Sequence, residues 1–491
     1  MPERIGIREA RPEDCDFVFA LSNDDLVRSC STHTERIAYA DHVAWFSRML
    51  RNPDVRFYVF ETEAGTRAGQ FRIERKAEGW VASMSLAKEF RGGGRASALC
   101  RMALRKSGLR KVWASTKAGN ASALQVLRAS GFQPVRDETV DGVAYHVLQF
   151  TDPVYIVAEM SANHRGDFGR AKEIIAAAKS AGADAVKLQT YTADTMTLDC
   201  RTPPFVIEGG TLWDGKTFFE VYHENETPWS WTPKLKDYAD SLGIELFSTP
   251  FDRTAVDFLD ACGVRKFKIA SFEAVDIPLI RHAAAKGRPM FISTGICTPE
   301  EMQAAVDACF AEGNCDVTLL KCTSAYPAKL EDMNLQTVAD MVGRFRPQGV
   351  RLGLSDHSLS TEPVVAATAL GARVVEKHLC IDRPDGDAES RFSLLPNQFA
   401  EMVRAVRNVE KCLGEVTYAV NPVARAGRRS LFVAEDMAPG DVFTEENLRS
   451  VRPGMGCAPA RTGDFLGRRA VRAIRKGTPM SEELVAEEGR G

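Results

Sequence analysis

Two histidines end short apolar runs late in the sequence: His357 closes RLGLSDH and His378 closes RVVEKH. If these runs are neighbouring parallel strands, both imidazoles can converge on one point. Two neutral imidazoles, completed by water and substrate oxygens, suit a divalent Lewis acid. A single histidine is more often a structural residue, so it is the pair that favours a metal site.

Lysines and hydroxyl-bearing residues stand near the ends of other short apolar runs, earlier in the sequence. The lysines are Lys187 and Lys268, and the hydroxyl groups belong to Thr249, Ser271, Ser293 and Ser324. Together they would form a ring of donors for phosphate and carboxylate groups. Glu159, which ends the first run, is the carboxylate best placed for proton transfer or for orienting a hydroxyl.

Eight short apolar runs between residues 155 and 378 must position these groups. They are YIVAE, AVKLQ, ELFST, KFKIAS, MFIST, VTLLKCTS, RLGLSDH and RVVEKH. Stretches with helical periodicity, such as residues 170–183 and 299–313, separate most of them. Buried strands alternating with helices predict a parallel sheet, and eight such units close a (β/α)₈ barrel. Because catalytic groups of that fold lie at the carboxyl ends of strands, the pattern predicts an enzyme.

Length and composition limit the number of domains, the kinds of partner and the cellular compartment. A chain of 491 residues allows about three domains, and a formal charge of −3 favours neither nucleic acid nor a membrane surface as a partner. The amino terminus has no apolar signal segment, and no apolar stretch is long enough for a membrane span. Twelve scattered cysteines without a C-x-x-C motif indicate buried free thiols in a reducing compartment. We therefore expect a cytoplasmic protein.

Residues 1–150 differ in texture from the rest and are predicted to form a separate domain. Strand-like segments at 56–62, 69–74 and 80–87 lead into the glycine cluster FRGGGRASALCRMALRK. A strand followed by a glycine-rich turn that opens a helix presents backbone N–H groups to an anion. A short linker at residues 151–153 is expected to end this domain.

An insertion at residues 190–232 interrupts the barrel pattern after the second strand. It holds Trp213, Phe218, Phe219, Tyr222, Trp229 and Trp231. A loop of this length is usually functional, for example as a lid, although it can also simply pack its own aromatic side chains beside the barrel. Both interpretations stay open.

The barrel is predicted over residues 153–414, followed by a connector at 415–429 and a small carboxyl-terminal domain at 430–491. Short strands are expected there at 430–435 and 469–474, around turns at Pro439-Gly440 and Lys476-Gly477. This segment is too small for a large core. We expect a compact β-rich module that docks on another surface, such as a second subunit.

Motifs in this order resemble the sialic-acid synthase family: AEMSANH, FSTPFD, KCTSAYP, LSDH and EKH. Within that family, KLQTYTADTMT, the insertion with TPWSW and LLKCTSAYP are most similar to the pseudaminic acid synthases. The resemblance covers residues 153–491 and includes a β-clip module of the antifreeze-like (SAF) type carrying RSVRPGMG. It implies a (β/α)₈ TIM barrel followed by a SAF domain.

The resemblance also implies an activity. Phosphoenolpyruvate would condense with an open-chain N-acetylated amino sugar, releasing phosphate and forming a nine-carbon 2-keto acid. The implied phosphoenolpyruvate ligands are Lys187, Thr249, Lys268, Ser271, Ser293, Ser324 and Ser355. His357 and His378 would hold Mn²⁺ or Mg²⁺ and, with Glu159, form the catalytic set. The implied sugar contacts are Gln189, Tyr326, an acid at Asp387 or Glu389, and Arg452 of the partner subunit in a domain-swapped homodimer.

One position departs from the family pattern. The family often has Gly-Pro-Asp where this chain reads Gly386-Asp387-Ala388-Glu389. Whether Asp387 or Glu389 contacts the sugar is therefore open.

The amino-terminal domain resembles the GNAT acetyltransferases, which have an α+β fold. Its turn, Arg91, Gly92, Gly94, Arg95 and Ala96, matches their Q/R-x-x-G-x-G/A motif, which binds the acetyl-CoA pyrophosphate through backbone amides. Asn120 begins a segment like their later cofactor helix. The tyrosine often found seven residues after that asparagine, a general acid for the departing thiolate, is Leu127 here.

These expectations describe a bifunctional biosynthetic enzyme. The first domain would acetylate an amino sugar with acetyl-CoA, and the barrel would condense the diacetamido sugar with phosphoenolpyruvate to give pseudaminic acid. Synthesis of N-acetylneuraminate or legionaminate is the alternative for the barrel. For the first domain, the alternative suggested by Leu127 is a module that binds acetyl-CoA without turnover.

Overall fold

The computed structural model describes residues 5–208, 214–384, 387–414 and 416–486. Trp213 and Gly386 of the segments discussed above lie outside these ranges. The chain divides into two compact units, Met1–Leu413 and Gly414–Gly491. The larger unit contains both the amino-terminal sheet and the barrel.

The amino-terminal sheet has seven strands in the order β1-β2-β3-β4-β5-β7-β6. Their bounds are β1 Ile5–Glu9, β2 Val55–Thr62, β3 Arg67–Lys76, β4 Gly79–Leu86, β5 Lys111–Lys117, β6 Phe132–Val140 and β7 Val143–Thr151. Five helices pack on it: α1 Cys15–Ser22, α2 Asp25–Cys30, α3 Tyr39–Arg51, α4 Arg95–Ser107 and α5 Ala121–Ala129. Strands β4 and β5 run parallel but pair only between Val81 and Trp113, so the sheet opens beyond that point.

A closed barrel of eight parallel strands forms the centre of the larger unit. The strands are β8 Tyr155–Glu159, β9 Ala185–Thr190, β10 Glu245–Pro250, β11 Phe267–Ile269, β12 Met290–Ser293, β13 Val317–Cys322, β14 Arg351–Asp356 and β15 Val374–His378. β15 pairs with β8 and completes the circle. The predicted (β/α)₈ barrel is therefore confirmed, with each strand close to the apolar run that predicted it.

Helices surround the barrel and fill the insertion. They are α6 Phe168–Ser180, α7 Ala193–Met196, α8 Phe218–Asn225, α9 Thr232–Leu242, α10 Arg253–Ala261, α11 Ile277–Ala284, α12 Pro299–Ala311, α13 Gln336–Phe345, α14 Glu362–Ala369 and α15 Pro396–Leu413. Side-chain caps start several of them, as where Asp252 accepts from the first-turn amides of α10. Buried valine, isoleucine, leucine and phenylalanine fill the layer between strands and helices. The strand ends are thus held by a dry core.

The amino-terminal domain contacts the barrel at the amino ends of its strands. Asp316, immediately before β13, forms ion pairs with Arg101 and Arg105 of α4. Lys106 of α4 donates to the carbonyl oxygen of Pro347 at 2.9 Å, and Arg110 donates to Glu410 of α15 at 2.9 Å. This junction lies at the end of the barrel opposite the strand ends that carry the predicted catalytic groups.

The smaller unit contains the predicted carboxyl-terminal module. Strands β16 Ser430–Val433 and β17 Leu448–Val451 pair antiparallel around a compact apolar core, after the short helix α16 Pro422–Ala426. The prediction of a strand at residues 469–474 was wrong. Single bridges such as Val442 to Arg469 and Met437 to Ile474 replace it, because the segment meets several partners rather than one continuous strand.

None of the described helices has the length and apolar character needed to cross a membrane.

Candidate active site

The barrel's carboxyl end gathers the charged residues predicted from the strand ends. Lys187 Nζ lies 2.5 Å from Glu159 Oε2, and Lys268 Nζ lies 2.8 Å from Glu376 Oε1. Lys187 also lies 3.8 Å from the same Glu376 oxygen. Two buried ammonium groups and two buried carboxylates therefore form one cluster.

Glu376 was missed by the sequence analysis, although it links both lysines. It is buried on β15, where it also accepts from the Ser355 hydroxyl at 3.1 Å. The sequence did carry a signal for Glu376. Side chains two positions apart on a strand share a face, and Glu376 lies two positions before His378, which faces the site. A carboxylate in the centre keeps two neighbouring lysines from repelling each other when no anionic substrate is bound.

The cluster separates the acid–base properties of its members. Burial raises the pKa of Glu376, but the charges of Lys187 and Lys268 outweigh it and hold that pKa well below its usual range. For Glu159 burial dominates, and its pKa is raised. Burial also dominates at Lys268 and lowers the pKa of its ammonium group. At Lys187 the charges of Glu159 and Glu376 outweigh burial, so the pKa of that ammonium group is raised. The site thus combines a firmly ionised carboxylate with one closer to protonation.

The two histidines stand beside this cluster, with ring centroids 5.2 Å apart. His357 Nδ1 lies 3.1 Å from the carbonyl oxygen of Thr323, which holds a proton on Nδ1 and leaves the Nε2 lone pair for a ligand. His378 Nδ1 is buried and has no hydrogen-bond partner among the described residues. Burial lowers the pKa of His378 well below its ordinary value, and His357 lowers it further whenever His357 is protonated.

These features suit a divalent cation bound by two imidazoles and completed by oxygen ligands. Within the described ranges, no group of three or more histidine, cysteine, aspartate or glutamate side chains is arranged around a common metal position. The orphaned nitrogen of His378 and its neutral imidazole nevertheless fit a metal ligand. Water and substrate oxygens would have to supply the remaining coordination.

The predicted hydroxyl groups lie around the lysines. Thr249 Oγ1 accepts from Lys187 at 3.1 Å, and Ser271 Oγ accepts from the Gly295 amide at 3.1 Å. Ser293 Oγ is buried without a hydrogen-bond partner among the described residues. Ser324 Oγ lies 3.8 Å from the thiol of Cys322, whose own Sγ is 3.8 Å from His357. The structure therefore brings these predicted anion ligands to one place.

Residues expected to contact a sugar divide into two groups. Gln189 donates to Glu159 at 3.0 Å, and the ring of Tyr326 lies 4.5 Å from that of His357. Asp387 is paired with Arg165 at 2.5 Å, whereas Glu389 Oε2 lies 4.0 Å from His378 Nδ1. Burial raises the pKa of Glu389 to about 7. Of the two acids left open, Glu389 is the one that faces the histidines.

Glu273 is a second acid that the sequence analysis did not select. It follows β11, and its Oε2 is buried without a hydrogen-bond partner among the described residues. Burial raises its pKa to about 7, and Lys268 is among the charges that act on it. Glu273 comes two residues after the run KFKIAS, but spacing alone could not show that this carboxyl group is buried.

Aromatic contacts hold the insertion onto the barrel. Trp229 Nε1 donates to the carbonyl oxygen of Tyr191 at 3.0 Å, and the Trp229 ring packs against Phe258 of α10 with centroids 4.9 Å apart. Tyr191 also contacts Tyr222 of α8. Part of the insertion therefore packs its own aromatic side chains beside the barrel, as one interpretation expected.

The glycine turn of the amino-terminal domain has the geometry expected for binding an anion. Gly92, Gly93 and Gly94 all have positive φ, and a Cβ atom on any of them would meet no heavy atom within 4 Å. Gly94 caps α4, whose first residues are Arg95 and Ala96. Exposed amides and a helix N-terminus thus face open space.

Neighbouring side chains brace this turn. Arg91 donates to the carbonyl oxygen of Leu86 at 2.9 Å and pairs with Asp24 at 2.9 Å. Asn120 uses its side-chain oxygen to cap α5, accepting from Ala123 at 3.1 Å. Leu127 packs against the core of the sheet and offers no proton.

Arg452 lies in the smaller unit, exposed and directly after β17.

Comparisons with known proteins agree with this architecture. The NeuB family model matches residues 174–418, the SAF domain model residues 428–486, and the GNAT acetyltransferase model residues 4–133. Pseudaminic acid synthases from Helicobacter pylori and Campylobacter jejuni (strain 81-176) are 41% and 42% identical to this chain. The matches cover 67% of this chain in both cases, and 97% and 96% of those proteins.

A solved structure supports the same assignment. The crystal structure of N-acetylneuraminic acid synthetase from Leptospira borgpetersenii, in complex with citrate, has a TM-score of 0.50 and 26% identity. That similarity covers 60% of this chain and 95% of the synthetase. The barrel and its site are those of a sugar-acid synthase. The chain belongs to the NeuB family, with a GNAT domain ahead of the barrel and a SAF domain after it.

Proposed function

We propose that the barrel condenses phosphoenolpyruvate with 2,4-diacetamido-2,4,6-trideoxy-L-altrose to give pseudaminic acid and phosphate. The observation that carries this proposal is the buried Lys187–Glu376–Lys268 cluster beside His357 and His378. The identity with curated pseudaminic acid synthases, 41% over nearly their whole length, favours this product. N-acetylneuraminate and legionaminate are the alternative products.

Phosphoenolpyruvate would bind at the lysine cluster. Its phosphate and carboxylate groups need cationic and hydroxyl donors, which Lys187 and Lys268 supply together with Thr249. The unpartnered hydroxyl of Ser293 adds a donor that nothing else among the described residues uses. A divalent cation, Mn²⁺ or Mg²⁺, held by His357 and His378 would make the aldehyde carbon of the open-chain sugar more electrophilic.

In the reaction, C3 of phosphoenolpyruvate forms a bond to the aldehyde carbon, water adds to C2, and the C2–O bond to phosphate breaks. The lysines stabilise the phosphate charge throughout. Glu273 suits the proton transfers because its pKa of about 7 lets it both accept and donate near neutral pH. Glu159 holds Lys187 and Gln189 in place.

The sugar would lie between the histidines and the insertion. Gln189, Tyr326 and Glu389 can reach its hydroxyl groups, as their positions around the histidines suggest. Tyr222 and Phe218 of α8 offer aromatic surface for its methyl groups.

Phosphate release with three sugars tests the product. The enzyme, phosphoenolpyruvate and Mn²⁺ are incubated with the diacetamido altrose, the diacetamido sugar of legionaminate, or N-acetylmannosamine. We expect kcat/KM to be highest for the altrose. A preference for either other sugar would overturn the assignment of the product but not that of the condensation.

For residues 1–150 we propose transfer of an acetyl group from acetyl-CoA to the 4-amino group of a nucleotide-linked dideoxy amino sugar. This is the acetamido group that the substrate of the barrel carries. Because α4 contacts the amino end of the barrel, the acetylated product would leave to solution before it reached the mouth. Release of free thiol by the full chain tests the transfer. Tight acetyl-CoA binding without thiol release would instead support a binding module, as Leu127 allows.

A domain-swapped homodimer would complete the mouth. Exposed apolar side chains follow successive strands at the mouth, and others lie in the connector to the SAF domain: Phe272, Val275, Ile296, Leu330, Leu359, Val416, Tyr418 and Val423. Such surface needs a cover, and a second copy can provide it. Mixing the inactive variants Lys187→Met and Arg452→Ala tests the swap. Mixed dimers should regain activity at one mouth, whereas no recovery on subunit exchange would contradict it.

A further inference from the structure

A polar cavity of about 300 Å³ lies at the carboxyl end of β13. Its lining includes Lys321 and Thr323 at the end of that strand, Met302 of α12, and Asn334 and Thr337 at the start of α13. Cys322 contacts His357 inside the barrel. Since successive side chains on a strand point to opposite faces, Lys321 points away from the catalytic cluster and toward the helices.

The ammonium group of Lys321 has no anionic partner among the described residues. Only 7% of the residue is exposed, and Nζ donates to Thr323 Oγ1 at 2.5 Å. Asp332 also lines the cavity, but within the described ranges no carboxylate comes within 4.0 Å of this lysine. Burial lowers the pKa of Lys321, and the more distant charges of Cys322 and Asp356 offset only part of that effect. A buried cation with unused N–H groups is costly unless an anion joins it.

The surrounding groups add donors for such an anion. Thr323 accepts from Lys321, so its own hydroxyl proton is free to donate. α13 begins at the cavity without a side-chain cap, and its positive end adds to the lysine charge. The cavity can therefore hold a small oxyanion.

The cavity also adjoins the proposed phosphoenolpyruvate site. Gly295 and Ser324 line it, and a Cβ atom on Gly295 would clash with Ser324 Oγ and lie 2.9 Å from Ser271 Oγ. Only a glycine fits there. Ser324 therefore borders both the cavity and the proposed phosphoenolpyruvate site, and Ser271 lies directly behind Gly295.

We propose that this cavity binds inorganic phosphate, the second product of the reaction. Phosphate released beside Ser324 would transfer to Lys321 and Thr323 on its way to solution. The proposal depends on the proposed condensation, which supplies the phosphate. It makes Lys321 a ligand for the product rather than for phosphoenolpyruvate.

Product inhibition separates these two roles. Initial rates of sugar-acid formation are measured at several phosphate concentrations with phosphoenolpyruvate varied. We expect Lys321→Met to raise the inhibition constant for phosphate roughly tenfold, the effect of losing one charge-assisted hydrogen bond, with the KM for phosphoenolpyruvate nearly unchanged. Lys321→Arg keeps the charge and should keep the inhibition. Lys234→Met, at an exposed position on α9, is the matched control and should behave as wild type.

Two results would overturn the proposal. One is an unchanged inhibition constant in Lys321→Met, and the other is an equal rise in that constant and in the KM for phosphoenolpyruvate. Calorimetric titration with inorganic phosphate, in the presence of saturating phosphoenolpyruvate and without sugar, tests the site apart from turnover. Binding lost in Lys321→Met supports the site even if no sugar is condensed, which would refute only the proposed function. Absence of binding to wild type would refute the site while leaving condensation intact.

Discussion

Replacing Asp316 by asparagine removes one of the charges that join the GNAT domain to the barrel. Asp316 forms ion pairs with Arg101, at 3.1 Å, and with Arg105, both on the helix that starts at the glycine turn. Burial raises the pKa of this carboxyl, but the two guanidinium groups outweigh it and lower the pKa from 3.8 to about 2. The folded chain therefore favours the ionised form.

The pKa difference gives the size of the effect. A change from 3.8 to about 2 corresponds to ~2.5 kcal/mol of stability at neutral pH, at about 1.4 kcal/mol for each factor of ten in proton affinity. Because the folded pKa lies below the unfolded one, this contribution is complete above about pH 4 and is lost as pH falls toward 2. The asparagine side chain cannot carry the charge at any pH, so Asp316→Asn should lose about 2–3 kcal/mol at pH 7.

Urea unfolding of the full chain at pH 7 measures this loss. Asp340→Asn is the matched control, because Asp340 pairs with Arg344 where both side chains are 56% exposed, and such pairs contribute less than about 1 kcal/mol. Condensation activity of folded Asp316→Asn should equal that of wild type, since the junction lies at the opposite end of the barrel. Equal stability of the two variants would refute the electrostatic reasoning, and loss of kcat in the folded variant would refute the separation of the sites.

Three further variants probe the two sites. Glu273→Gln should be about 3 kcal/mol more stable than wild type at pH 8.5 but not at pH 4.5, because burial raises the pKa of Glu273 from 4.5 to about 7 and stability falls as pH rises through that range; urea unfolding at both pH values checks this. Gly94→Ala should weaken acetyl-CoA binding about tenfold by calorimetry and leave condensation unchanged, since alanine resists the φ of 74° at the turn. Glu376→Gln should lower stability by about 3–5 kcal/mol by leaving Lys187 and Lys268 without their shared counter-charge. Phosphoenolpyruvate should restore part of that loss in urea unfolding, and an equal loss with and without it would contradict the assignment of the cluster.

Local pattern was enough to predict the barrel and the places of its polar strand ends. Each strand is a short apolar run, and the alternation of strands and helices repeats eight times, so the strands could be counted without any knowledge of their contacts. The glycine turn of the GNAT domain could also be recognised locally, because three consecutive glycines before a helical segment need no distant partner.

The roles of residues that depend on distant partners could not be predicted from local sequence. Glu376 owes its low pKa to lysines on other strands, of which Lys268 is 108 residues away in sequence. Glu273 owes its raised pKa to burial, which nothing in its local sequence states. The different positions of Asp387 and Glu389 likewise depend on a distant residue, because Arg165 pairs with Asp387 while Glu389 faces His378.

The sequence by itself determined which segments become strands and which side chains end them, because backbone periodicity and hydrophobicity act over a few residues. Only the tertiary structure decided which end of the barrel receives the acetyltransferase domain, which carboxylates are ionised, and that residues 469–474 meet several partners instead of one strand. Desolvation and ion pairing between remote segments exist only once the chain is closed.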